Sequence, residues 1–86
     1  GDEDAVRRLA ALHNLGDVLQ LLGRNEEAIE AFQRMREIAF RLDLKAKGGV
    51  AHNRIGRVYR AVGQLDLAMR HLGTGHALFD AAADRR

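Results

Sequence analysis

Histidine is the side chain in this sequence best suited to metal or proton chemistry, and it occurs at positions 13, 52, 71 and 76. Imidazole binds transition metals and exchanges protons near neutral pH. His71 and His76 are five residues apart, which takes them off a single helical face, and the zinc motif HExxH is absent. We therefore predict no metal and no cofactor, with His13, His52 and the others at the surface or along a binding groove.

Side chains that could act as nucleophiles are nearly missing. Thr74 is the one Ser or Thr of the chain, and there is no Cys. The phosphate-binding and hydrolase motifs GxGxxG, GxxxxGK[ST] and GxSxG are also absent. Glu26 and Glu27 have a simpler explanation, because acidic residues are favourable at the start of a helix. The side-chain inventory predicts that the protein is not an enzyme.

Arginine is the charged residue whose spacing suggests binding. Arg54, Arg57 and Arg60 are three residues apart, which keeps them near one face of a helix. The guanidinium group pairs bidentately with carboxylates, so this face would suit a partner with acidic residues. A face of solvated arginines without a partner is the alternative, and the sequence does not decide between the two.

The two halves of the chain have opposite charge. Residues 1–43 contain six basic and nine acidic residues, whereas residues 44–86 contain eight basic and three acidic ones. This asymmetry suits an asymmetric partner or head-to-tail contact between copies, giving a homo-oligomer. Nucleic acid is disfavoured, because single-strand binders combine a basic groove with several aromatic platforms and aromatics make up 5% of this chain.

Composition also bears on where the protein works. There is no Cys for a disulfide, no apolar run long enough to span a membrane, and no apolar signal segment at the start. These features favour a cytoplasmic protein without membrane association. Twelve of the fourteen basic residues are Arg, a bias that indicates a GC-rich bacterial genome.

An internal repeat of forty residues organises the chain. Identical residues recur at this interval: Ala11 and Ala51, Gly16 and Gly56, Val18 and Val58, Gly23 and Gly63, Ala28 and Ala68. Each repeat has apolar residues at helical spacing on both sides of a central glycine. Gly23 and Gly63 would end the first helix of each repeat, and Asn25 would cap the next one. The pattern predicts four helices, near 4–22, 25–43, 47–62 and 65–82.

The residues at these positions resemble the tetratricopeptide signature. The first repeat carries it in Leu12, Leu15, Gly16, Leu19, Gly23, Ala28 and Phe32, and the second in Ile55, Gly56, Tyr59, Gly63, Ala68 and Leu72. The resemblance implies an all-α fold, an α-α superhelix of two helical hairpins with four antiparallel helices. It also implies that Gly16 and Gly56 let two helices approach closely, with Phe32 and Tyr59 filling the space beside them.

Three features depart from the common pattern of this family. The repeat has forty residues instead of about thirty-four, as in the longer variety found in bacterial signalling and regulatory proteins. His52 takes the place of a large apolar residue. Gly73 and Gly75 lie inside the fourth helix, where glycine costs about 1 kcal/mol relative to Ala; a small residue is usual at position 75, whereas Gly73 predicts a weak or bent turn.

We expect residues 1–86 to form a single domain, with one repeat at about 9–46 and another at about 49–86. Neither end shows a polar capping helix, and solenoids generally need about three repeats or a cap. The sequence therefore predicts a fragment of a longer repeat array, or a chain that completes itself by association.

The resemblance implies a function as a protein-binding scaffold, because the first helix of each repeat lines a concave groove in this family. Carried over by position, the groove residues are His13, Asn14, Asp17, Gln20, Asn53, Arg54, Arg57 and Arg60. An acid at Asp17 would repel a terminal carboxylate, which disfavours binding to chaperone tails. The alternatives are a structural segment that stacks on neighbouring repeats or on itself, and a sensor within a larger regulator.

Overall fold

The chain folds into four antiparallel α-helices. A computed structural model describes residues 1–84, and its helices are α1 (Asp2–Leu21), α2 (Asn25–Arg41), α3 (Lys45–Ala61) and α4 (Leu65–Ala83). Each helix packs on the next, with α1 on α2, α2 on α3 and α3 on α4. The all-α fold of two helical hairpins is confirmed, and each helix begins and ends within two residues of its predicted bounds.

Three short turns of the same geometry join the helices. Each has one residue with positive φ, and these residues lie twenty apart: Gly23 (75°), Asp43 (54°) and Gly63 (84°). In each turn the following amide donates to a carbonyl five residues earlier, as Arg24 N does to Leu19 O at 2.9 Å. This pattern is the Schellman motif, which satisfies carbonyls at a helix end. The glycines therefore end α1 and α3 as predicted.

The start of α2 differs from the prediction. Arg24, rather than Asn25, is the capping residue, and no side-chain hydrogen bond caps the helix. The Arg24 guanidinium instead donates two hydrogen bonds of 2.8 Å to the carboxylate of Glu27. The predicted Asn25 cap is wrong because the chain enters the helix one residue earlier than that cap requires, so Asn25 is already the first helical residue.

The hydrophobic core lies between α2 and α3. Its largest fully buried side chains are Phe32 and Met35 of α2 and Ile55 and Val58 of α3. Burying each contributes roughly 1.5–3 kcal/mol relative to exposure. The ring of Phe32 packs directly on Gly16, as predicted.

The second hairpin is packed differently from the first. Gly56 contacts Leu72 and the backbone of Ala68, so Leu72 fills the space that we had assigned to Tyr59. A Cβ at Gly75 would lie 2.9 Å from the carbonyl oxygen of Gly49, so two glycines face each other where α3 crosses α4. The prediction for Tyr59 is wrong because its ring stacks on a histidine of α4 instead.

Helix α4 is continuous through its two glycines. Gly75 is buried in the crossing with α3, which explains the small residue there. Gly73 faces open space and does not interrupt the helix, and the weak or bent turn predicted there stays a prediction.

Part of the predicted apolar stripe of α1 is uncovered. Leu9 and Leu19 are buried against α2, whereas Leu15 and Leu22 are exposed, because no helix of residues 1–84 packs on the other side of α1. No helix within residues 1–84 combines the length and the apolar character that crossing a membrane requires.

Candidate functional site

The first helices of the two hairpins meet through an ion pair on the predicted groove surface. Nε of Arg54 in α3 donates a hydrogen bond of 3.0 Å to Oδ1 of Asp17 in α1. Both side chains are partly buried. Because the two residues belong to different repeats, their bond makes the exposed surfaces of α1 and α3 continuous.

His13 lies one helical turn before Asp17 on the same surface. Its Nε2 is 3.5 Å from Oδ2 of Asp17 and makes no hydrogen bond. Its ring also lies edge-on to Phe32, with the two centroids 6.5 Å apart. His13 therefore joins the floor of the groove surface to the core, and the structure brings His13, Asp17 and Arg54 together as one cluster.

The other predicted groove residues surround this cluster at different depths. Asn14, Arg57 and Arg60 are exposed, whereas Gln20 and Asn53 are half-buried. Neither Arg57 nor Arg60 forms an ion pair or side-chain hydrogen bond within residues 1–84. The predicted row of three arginines thus divides into Arg54, which is neutralised internally, and two cations open to solvent.

The exposed side chains of this arrangement are suited to pairing with carboxylates. Two solvated guanidinium groups three residues apart can each pair bidentately with an acid. Thr74, the single hydroxyl of the Ser and Thr type, is on α4 and donates to the carbonyl of Arg70 at 3.0 Å. Within residues 1–84 no three His, Asp or Glu side chains form a group suited to a metal.

Sequence reasoning missed an aromatic stack between α3 and α4. Nδ1 of His52 lies 3.1 Å from Nδ1 of His71, and the two rings are stacked with centroids 5.3 Å apart. The ring of Tyr59 also stacks on His71, with the two ring centroids 5.6 Å apart. The stack joins the two helices of the second hairpin beside their glycine crossing.

Burial and positive neighbours favour the neutral form of both stacked histidines. Desolvation, then the charges of His71 and Arg36, lowers the pKa of His52 to about 4. Desolvation also lowers the pKa of His71, with the charges of Arg36 and Arg70 acting in the same direction. A neutral pair can share one proton as a hydrogen bond, because one ring nitrogen donates and the other accepts.

The forty-residue repeat contained the signal for this stack. His52, Tyr59 and His71 take the positions of Leu12, Leu19 and Ala31 in the first hairpin, all inside the α1–α2 packing. His52 and Tyr59 are also seven residues apart, so they share a helical face. Three ring side chains at positions that are packed in the first hairpin could have predicted a contact across the second hairpin.

Three grooves lie away from the predicted surface. The first, of about 910 Å³, runs between the end of α2 and the start of α3, with Arg36, Phe40 and His52 among its lining. The second lies where α2 and α4 begin, and the third where α1 begins. None of the eight predicted groove residues lines any of these three grooves.

Comparison with known proteins gave one result. A family model described as tetratricopeptide repeat matches residues 7–81. The comparisons with curated proteins and with solved structures returned no match.

Proposed function

Because the chain belongs to the tetratricopeptide repeat family, whose members generally mediate protein–protein interactions, we propose that it binds an acidic peptide segment on the surface of α1 and α3. The observation that carries this proposal is the pair of exposed, unpaired arginines, Arg57 and Arg60, beside the Asp17–Arg54 bond. This family is a repeat fold without catalytic function, which agrees with the side-chain inventory.

The shape of the surface favours an extended or helical segment over a small ligand. The polar side chains of the α1–α3 surface are spread over both helices, and the Asp17–Arg54 bond links them. Asn14 is exposed on α1 and Asn53 is partly accessible on α3, so their amides can pair with a peptide backbone. Arg57 and Arg60 would then select segments with acidic side chains one helical turn apart, or two residues apart in an extended chain.

Charge reversal tests the proposal directly. Arg57→Glu should weaken binding of an acidic peptide, as measured by fluorescence anisotropy with a library of labelled acidic and neutral peptides. Arg34→Glu is the matched control, because Arg34 is an exposed arginine on α2. Arg34→Glu changes the net charge by the same amount, but Arg34 is on α2, outside the proposed α1–α3 surface. Binding should therefore be retained.

Two results would contradict this function. An equal loss of peptide binding with Arg57→Glu and Arg34→Glu would mean that the net charge of the protein attracts the peptide, and that no specific site binds it. Loss with Phe40→Glu, together with normal binding by Arg57→Glu, would place the peptide in the groove between α2 and α3 instead.

Three earlier predictions accompany this proposal. The forty-residue interval, seen in the matched turns at Gly23 and Gly63, supports membership of the longer variety known from bacterial regulators. The absence of Cys supports a cytoplasmic setting. The uncovered face of α1 supports a piece of a longer array or a chain that associates. The sequence of the complete gene product and its neighbouring repeats would test all three.

A further inference from the structure

One face of α1 carries apolar side chains that no described residue covers. Leu15 and Val18 are 49% and 52% exposed, whereas the residues forty positions later, Ile55 and Val58, are completely buried. Ile55 and Val58 belong to the core that α3 shares with α2. The same positions differ in burial because α3 has α2 beside it and α1 has no helix on that side.

One face of α4 is uncovered in a complementary way. Leu65 and Met69 are 60% and 72% exposed, and Gly73 on the same face has open space around it. These residues are four apart and so lie on one side of the helix. The equivalent residues of α2 are all half-buried beside α3: Asn25, Ile29 and Gln33. The outer side of α4 is therefore the kind of surface that α2 buries.

We propose that a second copy of this chain covers the α1 face with its α4 face, repeating the antiparallel packing of α2 on α3. Every molecule then carries both contact surfaces, the α1 face and the α4 face, and these two surfaces differ. Such a heterologous contact does not close at a dimer and can extend head to tail. It uses the outer faces of α1 and α4, so it goes beyond the proposed peptide surface.

Charge at one end of the contact favours this occupant. Phe40 of α2 and Gly48 of α3 line the same groove. Their equivalents at the proposed contact are Asp80 and Arg8. A stack with the α2–α3 geometry therefore places Asp80 of one copy along the same groove as Arg8 of the next, and both side chains are exposed in the single chain.

Charge at the other end is matched as well. Glu26 of α2 and Gln64 before α4 line a second groove. Their equivalents are Asp66 of one copy and Arg24 of the next. Arg24 already donates two hydrogen bonds to Glu27 of its own chain, so Asp66 would join an existing ion pair at this end. The Arg8–Asp80 pair would therefore supply the main charge match, in addition to the acidic first half and basic second half of the sequence. Complementary charges of this kind set orientation and register more than affinity.

Two substitutions on different faces distinguish this contact from other modes of association. Leu15→Glu disables the α1 face, and Met69→Glu disables the α4 face. By sedimentation velocity, the unaltered chain should grow beyond a dimer as its concentration rises, and each variant alone should remain monomeric. An equimolar mixture should form a dimer of one copy of each, because every molecule then has one working face.

Matched controls separate assembly from folding and from peptide binding. Phe40→Glu introduces the same charge at an exposed apolar residue outside both faces, so assembly should be retained. Arg57→Glu should also leave assembly unchanged, so the peptide proposal and the stacking proposal can fail separately. Circular dichroism of each variant checks that the helices are kept.

Charge swaps provide a second, independent test. Arg8→Asp or Asp80→Arg alone should weaken association at low salt, and the two together in one chain should restore it. A chain that stays monomeric at every concentration would overturn the proposal and leave the α1 face to a further repeat or another protein. Dimers of Met69→Glu alone would also overturn it, because they would require α1 to pair with α1.

Discussion

At the scale of single residues, the stacked histidines of the second hairpin are the groups most sensitive to solution conditions. His52 and His71 face each other, and the charged side chains of Arg36 and Arg70 act on them. Tyr59 lies against His71 on the other side. Since these neighbours include no carboxylate, nothing in the stack compensates a proton added to either ring.

Acid should therefore loosen the contact between α3 and α4. The pKa of His52 falls from 6.5 to about 4 on folding, so the unfolded chain binds more protons between these values. Neutral His52 therefore makes its full contribution to the free energy of unfolding above pH 6.5, and this contribution decreases as the pH falls towards 4. We expect the urea midpoint, followed by circular dichroism, to decrease over this range.

Two variants isolate the contribution of His52. His52→Leu installs the residue found at the equivalent position of the first hairpin, Leu12, and should flatten the pH dependence between 6.5 and 4. His76→Gln removes an exposed histidine outside the stack and should leave it as in the unaltered chain. A slope that is the same in both variants would mean that groups other than His52, such as His71 or carboxylates, cause the acid sensitivity.

At the scale of helices, glycines determine how closely the two members of each hairpin approach. A Cβ at Gly16 would lie 2.6 Å from Cζ and 2.7 Å from Cδ1 of Phe32. Phe32 is completely buried, so its ring cannot avoid such a Cβ by moving out into solvent. Gly73 is the opposite case, because a Cβ there meets nothing within 4 Å.

The same substitution should therefore have opposite effects at these two positions. Gly16→Ala should destabilise the fold by about 1–3 kcal/mol through overpacking, reduced somewhat by the better helix propensity of Ala. Gly73→Ala should stabilise it by up to about 1 kcal/mol, because propensity acts there without a clash. Urea unfolding at a concentration where the chain is monomeric measures both. Equal stability of the two variants would refute the close contact of Phe32 with Gly16.

Helix positions were predictable from the sequence, whereas the partners of individual side chains were less so. The forty-residue pattern and Gly23 and Gly63 located the helices, since periodicity and positive φ are local properties of the chain. Tyr59 was misassigned because its partner, His71, is on another helix and has no fixed sequence distance from it. The Asp17–Arg54 bond was missed for the same reason.

The predicted surface also depended on information beyond a single helix. Spacing placed Arg54, Arg57 and Arg60 on one face, but it could not show that Asp17 neutralises the first of them. Likewise, the apolar stripe of α1 was visible in the sequence, whereas the exposure of Leu15 follows from the absence of a neighbouring helix. Pairing between elements is a property of the fold, and the sequence pattern constrains it only weakly.

At the scale of the whole molecule, packing is strongest at the centre and weakest at the two ends. All four large, fully buried side chains belong to α2 and α3, which have helices on both sides. Helices α1 and α4 each pack on one neighbour. In repeat proteins, stability is approximately a sum of local terms and nearest-neighbour interfaces, so the outer helices can open while the centre stays folded.

Amide hydrogen exchange should show this gradient directly. In the monomeric chain we expect the slowest exchange in α2 and α3 around Phe32, Met35 and Ile55, and faster exchange in the first two turns of α1 and the last two described turns of α4. Stacking of copies would add protection to α1 and α4 as concentration rises, while α2 and α3 would change little. Exchange measured by mass spectrometry at low and high concentration, with Leu15→Glu as the non-assembling control, tests both parts. Uniform protection across all four helices in the monomer would mean that the two hairpins unfold as one unit, and that the α2–α3 contact couples them more strongly than the nearest-neighbour description allows.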